Sequence, residues 1–280
     1  MTAPPADGRW ARFLRKPPQE QAAALRATLR HLLRGGRARG EFPLGHRWAA
    51  PAALRAGLPF CLTARPEADV QHHALPEFAA LGEVWVRRNL RNAEDLPRLY
   101  ALALNIRAVL AEGIAGDFAE LGVYRGNSAA VLAQYARGAG REVLLFDTFT
   151  GFDRRDFAGP DRDRAMEFAD TSLDAVRELV GEANVHYVPG YFPDSLAPGM
   201  DARRFSLVHL DCDLYEPIRA GMAFFFPRLA PGGLMIVHDY AGIYWDGVKQ
   251  AVDEFLAGRP ERPVLLPDRS GTAMIRKAAV

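Results

Sequence analysis

The sequence predicts an α/β fold, a doubly wound and mostly parallel seven-stranded sheet with one antiparallel strand near its C-terminal end. Three observations predict it. From about residue 93, short apolar runs alternate with amphipathic stretches of helical spacing, the pattern of consecutive βαβ units. The runs keep ending in acids, at Glu120, Asp147, Asp211 and His238-Asp239, which marks the carboxyl edge of such a sheet as its polar face. The last two runs, 263–266 and 272–275, are joined only by the turn Asp268-Arg-Ser-Gly271. They must pair antiparallel, because a parallel pair needs a long crossover.

Taken in order, residues 1–92 read as a helical and loop extension. Gln19 to Leu33 has apolar residues at helical spacing and stops at Gly35-Gly36, and Pro43, Pro51 and Pro59 break the next stretch into loops and short pieces. This region is expected to be a cap, an arm or a dimerisation element with possible substrate contact. His72 and His73 are adjacent and point different ways on helix or strand, so a surface or hinge role is expected, with substrate contact as the alternative.

Residues 93–280 are expected to form the ligand-binding domain. Leu96, Leu99, Tyr100, Leu102, Ala103, Ile106, Val109 and Leu110 give a helix one broad apolar face, ended by Gly113. Residues 117–123 read as a buried strand and Gly122 to Ser128 as the turn, with Asn127 and Ser128 able to cap a helix reaching about Arg137. Further strands are expected at 142–147, 185–188, 205–211 and 234–239. Helices are expected at 170–180, capped by Asp170, Thr171 or Ser172, at 216–229, stopped by Pro231-Gly232-Gly233, and at 245–256. The insert 153–166, with Asp153-Arg-Arg-Asp and Asp161-Arg-Asp-Arg, reads as a solvated lid of mixed charge or an ordinary surface loop.

The bulk composition excludes several classes. Of 280 residues, 49% are hydrophobic, enough for one large core with a smaller appendage. A net charge of +1, from 35 basic and 34 acidic side chains, gives no basic excess for nucleic acid or an anionic membrane. Cys61 and Cys212 lie far apart with no CxxC pair, which fits a reducing compartment and no zinc cage. No N-terminal signal pattern and no long apolar run is present, so a cytoplasmic location is expected. Heavy alanine and arginine use suggests a GC-rich bacterial genome.

The strand–turn–helix at 117–128 is a ligand site in outline, since backbone N–H groups and the helix dipole point out of the turn. It lacks the third glycine of a dinucleotide fingerprint, and Tyr124 and Arg125 crowd the approach a pyrophosphate needs. Glu120 repels phosphate and suits an amino group. Ser128 and the nearby N–H groups suit a carboxylate. Asp147, 25 residues past Gly122 at the end of the next strand, suits the two hydroxyls of a ribose. A ligand with ribose, ammonium and carboxylate but no phosphate is S-adenosylmethionine. Asp211 and His238-Asp239 fall on neighbouring strand ends, where two or three ligands could hold Mg²⁺ and aim an acceptor hydroxyl. The alternative is that these acids only cap helices.

The blocks that carry these residues form a specific series. They are Gly116-Asp-Phe-Ala-Glu-Leu-Gly-Val-Tyr-Arg-Gly126, Phe146-Asp-Thr-Phe-Thr-Gly-Phe152, Gly190-Tyr-Phe-Pro-Asp-Ser-Leu196, Leu210-Asp-Cys-Asp-Leu-Tyr-Glu216, Gly232-Gly-Leu-Met-Ile-Val-His-Asp-Tyr240 and Trp245-Asp-Gly-Val-Lys-Gln-Ala-Val-Asp253. Over roughly residues 93–257 this series resembles the macrocin/mycinamicin-type (TylF/MycF-like) O-methyltransferases. The resemblance implies a class I methyltransferase (Rossmann-like) fold, S-adenosylmethionine, often Mg²⁺, and methylation of a sugar hydroxyl on a natural product as part of antibiotic or secondary metabolism. It implies that Glu120, Gly122, Tyr124, Ser128, Asp147, Gly190, Phe192 and Asp211 hold the cofactor, and that Asp211, Asp239 and His238 form the metal and catalytic centre. A small-molecule acceptor and a homo-oligomer are expected partners. An N- or phenol O-methyltransferase, or a binding module without catalysis, are the alternatives.

One departure is visible. The family often has Asp-Asp-Tyr where this chain has His238-Asp239-Tyr240. Histidine is a poorer Mg²⁺ ligand than carboxylate. The centre therefore binds metal with fewer charges, prefers a softer ion, or has lost the metal and uses His238 as a general base, with a structural His238 as the remaining reading. His209, inside its strand and on the same side as Asp211, is expected to be structural.

Overall fold

Leu99, Leu102, Ala103, Ile106 and Val109 recur at helical spacing, and in the computed structural model they form the buried face of α1 (Leu96–Ala111). The structure describes residues 81, 96–242, 244–266, 268 and 270–278, with only the backbone of 96 and 97. The expected helix at 19–33, the His72-His73 pair and Cys61 lie outside these residues. The described residues belong to one compact unit, Arg65–Val280. Among them, no helix is long and apolar enough to cross a membrane.

The apolar runs become β1 (Asp117–Leu121), β2 (Val143–Asp147), β3 (Val185–Pro189), β4 (Phe205–Leu210), β5 (Leu229–Val237), β6 (Val264–Leu265) and β7 (Ala273–Arg276). They form a seven-stranded sheet in the order β3-β2-β1-β4-β5-β7-β6. The first five strands are mutually parallel, and β7 runs antiparallel to both β5 and β6, as the short connection between the last two requires. The chain order reverses between β1 and β4, so the crevice of the sheet opens there. The connecting helices are α2 (Asn127–Ala139), α3 (Leu173–Val180), α4 (Tyr215–Arg228) and α5 (Asp246–Leu256).

Side chains alternate across each strand, so the sheet has two buried faces. Phe118, Val143, Leu145, Leu207 and Ile236 pack under α1, α2 and α3. Ala119, Leu121, Leu144, Phe146, Val208, Leu210 and Met235 pack under α4 and α5, with Phe225 at the centre of an aromatic group that includes Phe146, Phe192 and Phe205. Glu120 and His209 follow the same alternation and fall on the first face, directly opposite one another across the β1–β4 pairing.

Three local features differ from expectation. Strand β1 ends at Leu121, because Gly122 adopts a φ of +88° and turns the chain. Neither Asn127 nor Ser128 caps α2; Gly126 takes the N-cap position at φ +80° with no side-chain bond, a conformation glycine adopts at little cost. Strand β5 begins at Leu229, before the Pro-Gly-Gly expected to precede it. Phe205 pairs with Leu229 and Leu207 with Leu234, so Pro231-Gly232-Gly233 is absorbed as an irregularity inside the strand. Lys277 holds it there by donating its N–H to Gly233 O at 2.9 Å and accepting from Gly232 N–H at 3.0 Å.

The insert after β2 is mostly exposed, as expected, but two of its acids anchor it. Two short 3₁₀ turns, Arg154–Asp156 and Gly159–Asp161, bury Asp156 and Asp161. Asp161 accepts the N–H of Tyr215 at 2.7 Å, at the first residue of α4, and packs against Gly247 in the first turn of α5. The alternating Asp-Arg pattern looks solvated in sequence, yet two of its acids face inward, Asp161 onto the N-terminus of α4 and Asp156 onto the Tyr191 hydroxyl.

Candidate functional site

The turn after β1 is fixed from two sides. A Cβ on Gly122 would run into the Asp211 carbonyl, so the turn lies against the end of β4 as closely as a backbone can. Asp147, the last residue of β2, accepts the N–H groups of Val123 at 2.6 Å and Tyr124 at 2.9 Å on one oxygen, and that of Phe149 at 2.6 Å on the other. Tyr124 holds a left-handed backbone, φ +49°, and its hydroxyl donates to Asp170 at 2.6 Å. The carboxylate thus welds the turn to the neighbouring strand.

Around this weld a cleft opens at the carboxyl edge of the sheet. Of the residues expected to hold a cofactor, Gly122, Tyr124, Asp147, Gly190, Phe192 and Asp211 line it, and Glu120 and Ser128 do not. Glu120 is fully buried one residue below the turn. Its Oε1 lies 2.7 Å from His209 Nδ1, and the Ser128 hydroxyl bonds the same carboxyl. Its Oε2 has no protein partner, and neither does His209 Nε2. Burial pushes the Glu120 carboxyl up against the pull of His209. Ser128 is therefore spent on Glu120, which explains why it does not cap α2. His209 is structural in the sense expected, with Glu120 as its partner.

The second expected group is assembled as the strand order demands. Asp211, His238 and Asp239 bring one ligand atom each within 4.8 Å of one another. His238 Nδ1 lies 2.7 Å from Asp211 Oδ1 and 2.7 Å from Asp239 Oδ2. Arg98, from α1, donates to the other oxygen of Asp211. Burial works against ionisation of Asp211, but His238 and Arg98 outweigh it and hold the carboxyl well below the usual range. Burial works against the His238 imidazolium too, and Asp211 outweighs it, so the ring is pushed up. Burial and the charges of Asp211 and Asp239 push Asp213 well above the usual carboxyl range. Asp211, His238 and Asp239 could each offer one ligand atom to an ion, and each already has partners within the chain. Both oxygens of Asp211 already face cationic groups of the chain, and His238 Nδ1 faces carboxylates.

Three features escaped the sequence reading. Arg98 was hidden in a helix read only for its apolar face; it lies one turn before buried Leu102, so an arginine on the inner flank was the available signal. Asp156 and Tyr191 line the cleft together, Tyr191 donating to Asp156 at 2.7 Å beneath the Arg155 guanidinium, which sits 3.6 Å from the ring centre. Burial pushes Asp156 up to about 6 and Tyr191 well up. Cys212 lines the cleft beside Asp211, and burial pushes its thiol up. No pattern announced the last two. Trp245 packs on Phe152 and Phe168 and under Arg164, while Tyr244 is exposed.

The comparisons with known proteins agree with this geometry. The family model described as Macrocin-O-methyltransferase (TylF) matches residues 95–269. A tetracenomycin-C 4'-O-methyltransferase of Streptomyces olivaceus (the 8-demethyl-8-(2,3-dimethoxy-alpha-L-rhamnosyl) form is its substrate by name) is 34% identical over 174 residues, 57% of this chain and 65% of that protein. Mycinamicin III 3''-O-methyltransferase of Micromonospora griseorubida is 29% identical over 170 residues, 52% of this chain and 63% of that protein. The chain thus spans just under two thirds of these relatives. Among solved structures, the O-methyltransferase NovP superposes with a TM-score of 0.57 at 23% identity, over 65% of this chain and 80% of that one. The calicheamicin methyltransferase CalS11 gives 0.54 at 22% identity, over 80% and 96%. These two likenesses concern the fold, which is the seven-stranded, mixed sheet of class I methyltransferases. The match over residues 95–269, which takes in both the Asp147-locked turn and the Asp211–His238–Asp239 cluster, makes this chain a member of the macrocin-O-methyltransferase (TylF) family.

Proposed function

We propose that the chain is an S-adenosylmethionine-dependent O-methyltransferase whose acceptor is a hydroxyl, most simply a sugar hydroxyl, of a small natural product. The observation that carries the reading is Asp147. Asp147 lines the cleft with its carboxylate held by three backbone N–H groups, two on one oxygen and one on the other, so of its roughly four acceptor sites one, on the oxygen bonded to Phe149 alone, is left at a fixed place for a hydroxyl such as a ribose's. The methionine end of the donor would lie over Gly122 and Tyr124. Glu120, buried below that turn with one oxygen lacking a partner among the described residues, is an acceptor that suits an ammonium better than a phosphate.

When bound, the donor supplies a methyl group on a sulfonium: the hydroxyl oxygen forms the new O–C bond, the C–S bond breaks with its electron pair left on sulfur, and the hydroxyl proton is given up to the protein. The chain's part in this is positioning and proton uptake. The hydrogen-bonded series Asp211–His238–Asp239 lies at the edge of the cleft and takes that proton. Asp211 and Asp239 hold a proton on His238 Nδ1, so the ring orients the series and a carboxylate oxygen of it takes the new proton. Asp147 and the turn fix the donor; burial of the strand ends keeps water from competing. The Mg²⁺ suggested by the family resemblance has no step in this scheme. A homo-oligomeric, cytoplasmic enzyme belongs to the same reading, and light scattering on the full chain tests the first half of it.

Isothermal titration with S-adenosylhomocysteine tests the donor site. The wild type is expected to bind it and Asp147→Ala to bind at least tenfold more weakly, about 1.4 kcal/mol. Equal affinity in the variant, or no heat with the wild type, removes the assignment.

A further inference from the structure

Beyond its ribose the donor carries a purine base, and the cleft wall that this base would meet holds a carboxylate that nothing so far employs. We infer that Asp156, held in place by Tyr191, accepts the exocyclic amino group of the donor's adenine and makes the site selective for an aminopurine. The inference rests on the proposed function for the identity of the ligand. Its own support is the way the insert after β2 meets the end of β3.

The sheet order says where the base goes. With the methionine end over the turn after β1 and the ribose at Asp147 on β2, the third part of the donor continues past β2 towards β3. The chain leaving β3, Gly190 to Phe192, lines the cleft there, and the insert brings Asp156 to the same wall. The cluster Asp211–His238–Asp239 follows β4 and β5, on the other side of β1. Asp156 therefore stands on the side of the base and not on that of the proton transfer.

Asp156 is an acceptor with one oxygen left open. It is buried in the cleft wall, and its Oδ1 accepts the Tyr191 hydroxyl at 2.7 Å. Its other oxygen has no hydrogen-bond partner among the described residues. Tyr191 is itself fixed: the Arg155 guanidinium lies 3.6 Å from its ring centre, and Arg155 donates to Asp153 at 3.0 Å and to Asp194 at 2.8 Å. These contacts hold the open oxygen at one place in the wall.

The chemistry of that oxygen selects the base. An ionised carboxylate accepts and cannot donate. An adenine offers it an N–H from the exocyclic amino group, whereas a purine with a carbonyl at that position sets lone pairs against lone pairs. In a nearly dry wall the mismatch is costly, because a buried acceptor left without a donor forfeits its solvation. Tyr191 and Arg155 act through Asp156, by orienting it.

The test is isothermal titration of the full chain at neutral pH with S-adenosylhomocysteine and with S-inosylhomocysteine, which carries a carbonyl in place of the amino group. The wild type is expected to bind the inosyl compound at least about 100-fold more weakly. Asp156→Ala removes the acceptor and is expected to reduce that ratio to below about tenfold. Asp156→Asn is expected to reduce it likewise, since its amide oxygen keeps the Tyr191 hydroxyl and its amide nitrogen turns to the cleft as a donor. A purely structural Asp156 would weaken both compounds alike and leave the ratio where it was. A wild type that binds the two compounds within about threefold of each other overturns the inference and leaves the donor site standing. Variants with native circular dichroism that keep the wild-type ratio do the same. Should Asp156→Ala not fold, Asp156→Asn decides. No heat with either compound in the wild type removes the donor site itself, and the inference with it.

Discussion

Asp156 shows how a single side chain can tie the cleft to pH. It is 5% exposed, accepts from Tyr191, and burial raises it to about 6 from an ordinary value of 3.8. A carboxyl whose affinity for a proton is higher in the fold than in the unfolded chain stabilises the fold fully below the unfolded value. That contribution is lost as pH rises through the folded value. From pH 4 to 7 this residue therefore works against the fold increasingly. Asparagine keeps an acceptor for the tyrosine and does not titrate. Asp156→Asn is expected to be close to neutral at pH 4 and stabilising at pH 7, by up to about 3 kcal/mol for a difference of two pH units. Denaturant unfolding of both proteins at the two pH values checks it, and a difference that does not grow with pH would refute the burial argument. At this scale the sequence was only partly legible. Asp147 and Asp211 could be found because a strand end is a position any alternating pattern reveals. Asp156 and Arg98 could not, since their roles depend on what α1 and the insert fold against.

At the scale of elements, the insert after β2 works as a brace. Asp161 is fully buried between the N-terminal turns of α4 and α5, where it accepts the N–H of Tyr215 and lies against Gly247. Asp161→Ala removes an acceptor at a helix start and is expected to lower stability by about 1–2 kcal/mol, a fall in Tm of roughly 3–6 °C for a chain of this size. Gly247 has no side chain because a Cβ would press on that carboxylate. Gly247→Ala should therefore be damaging in the wild type and much milder in Asp161→Ala, and a double-mutant cycle by thermal unfolding measures the coupling. Additive effects would mean that the two residues do not touch in solution. The helices and strands themselves were readable because apolar period reports burial directly. Their ends were less so: the start of α2 turned on Ser128 being claimed by Glu120, and the start of β5 on Lys277, just past β7, pinning Pro231-Gly232-Gly233. Both are long-range contacts that no local propensity carries.

The molecule as a whole divides donor from acceptor. Everything that the proposed function assigns to the donor lies on β1, β2 and the turns beyond them. The sheet that holds these parts is closed over by α1, α2 and α3 on one face and α4 and α5 on the other. That half was legible from sequence because a doubly wound sheet puts its site at the strand ends whatever the ligand. The acceptor half was not, since residues 1–92 were expected to contribute to it and carry no motif. This division makes a prediction about fragments. Residues 65–280 form one compact unit, and Leu81 packs against the core cluster beneath α1. A fragment of residues 65–280 is expected to unfold in a single cooperative transition and to bind S-adenosylhomocysteine within about threefold of the full chain, a difference of less than about 1 kcal/mol. A fragment of residues 93–280, the boundary that the sequence suggested, loses the Leu81 contact and should melt at a lower temperature while keeping the donor site. Neither fragment should transfer methyl groups to an acceptor that the full chain uses. Turnover by the 65–280 fragment at the full rate would place acceptor recognition in the insert and the loop before α5 instead, and loss of S-adenosylhomocysteine binding in that fragment would show that the donor site is not confined to the sheet.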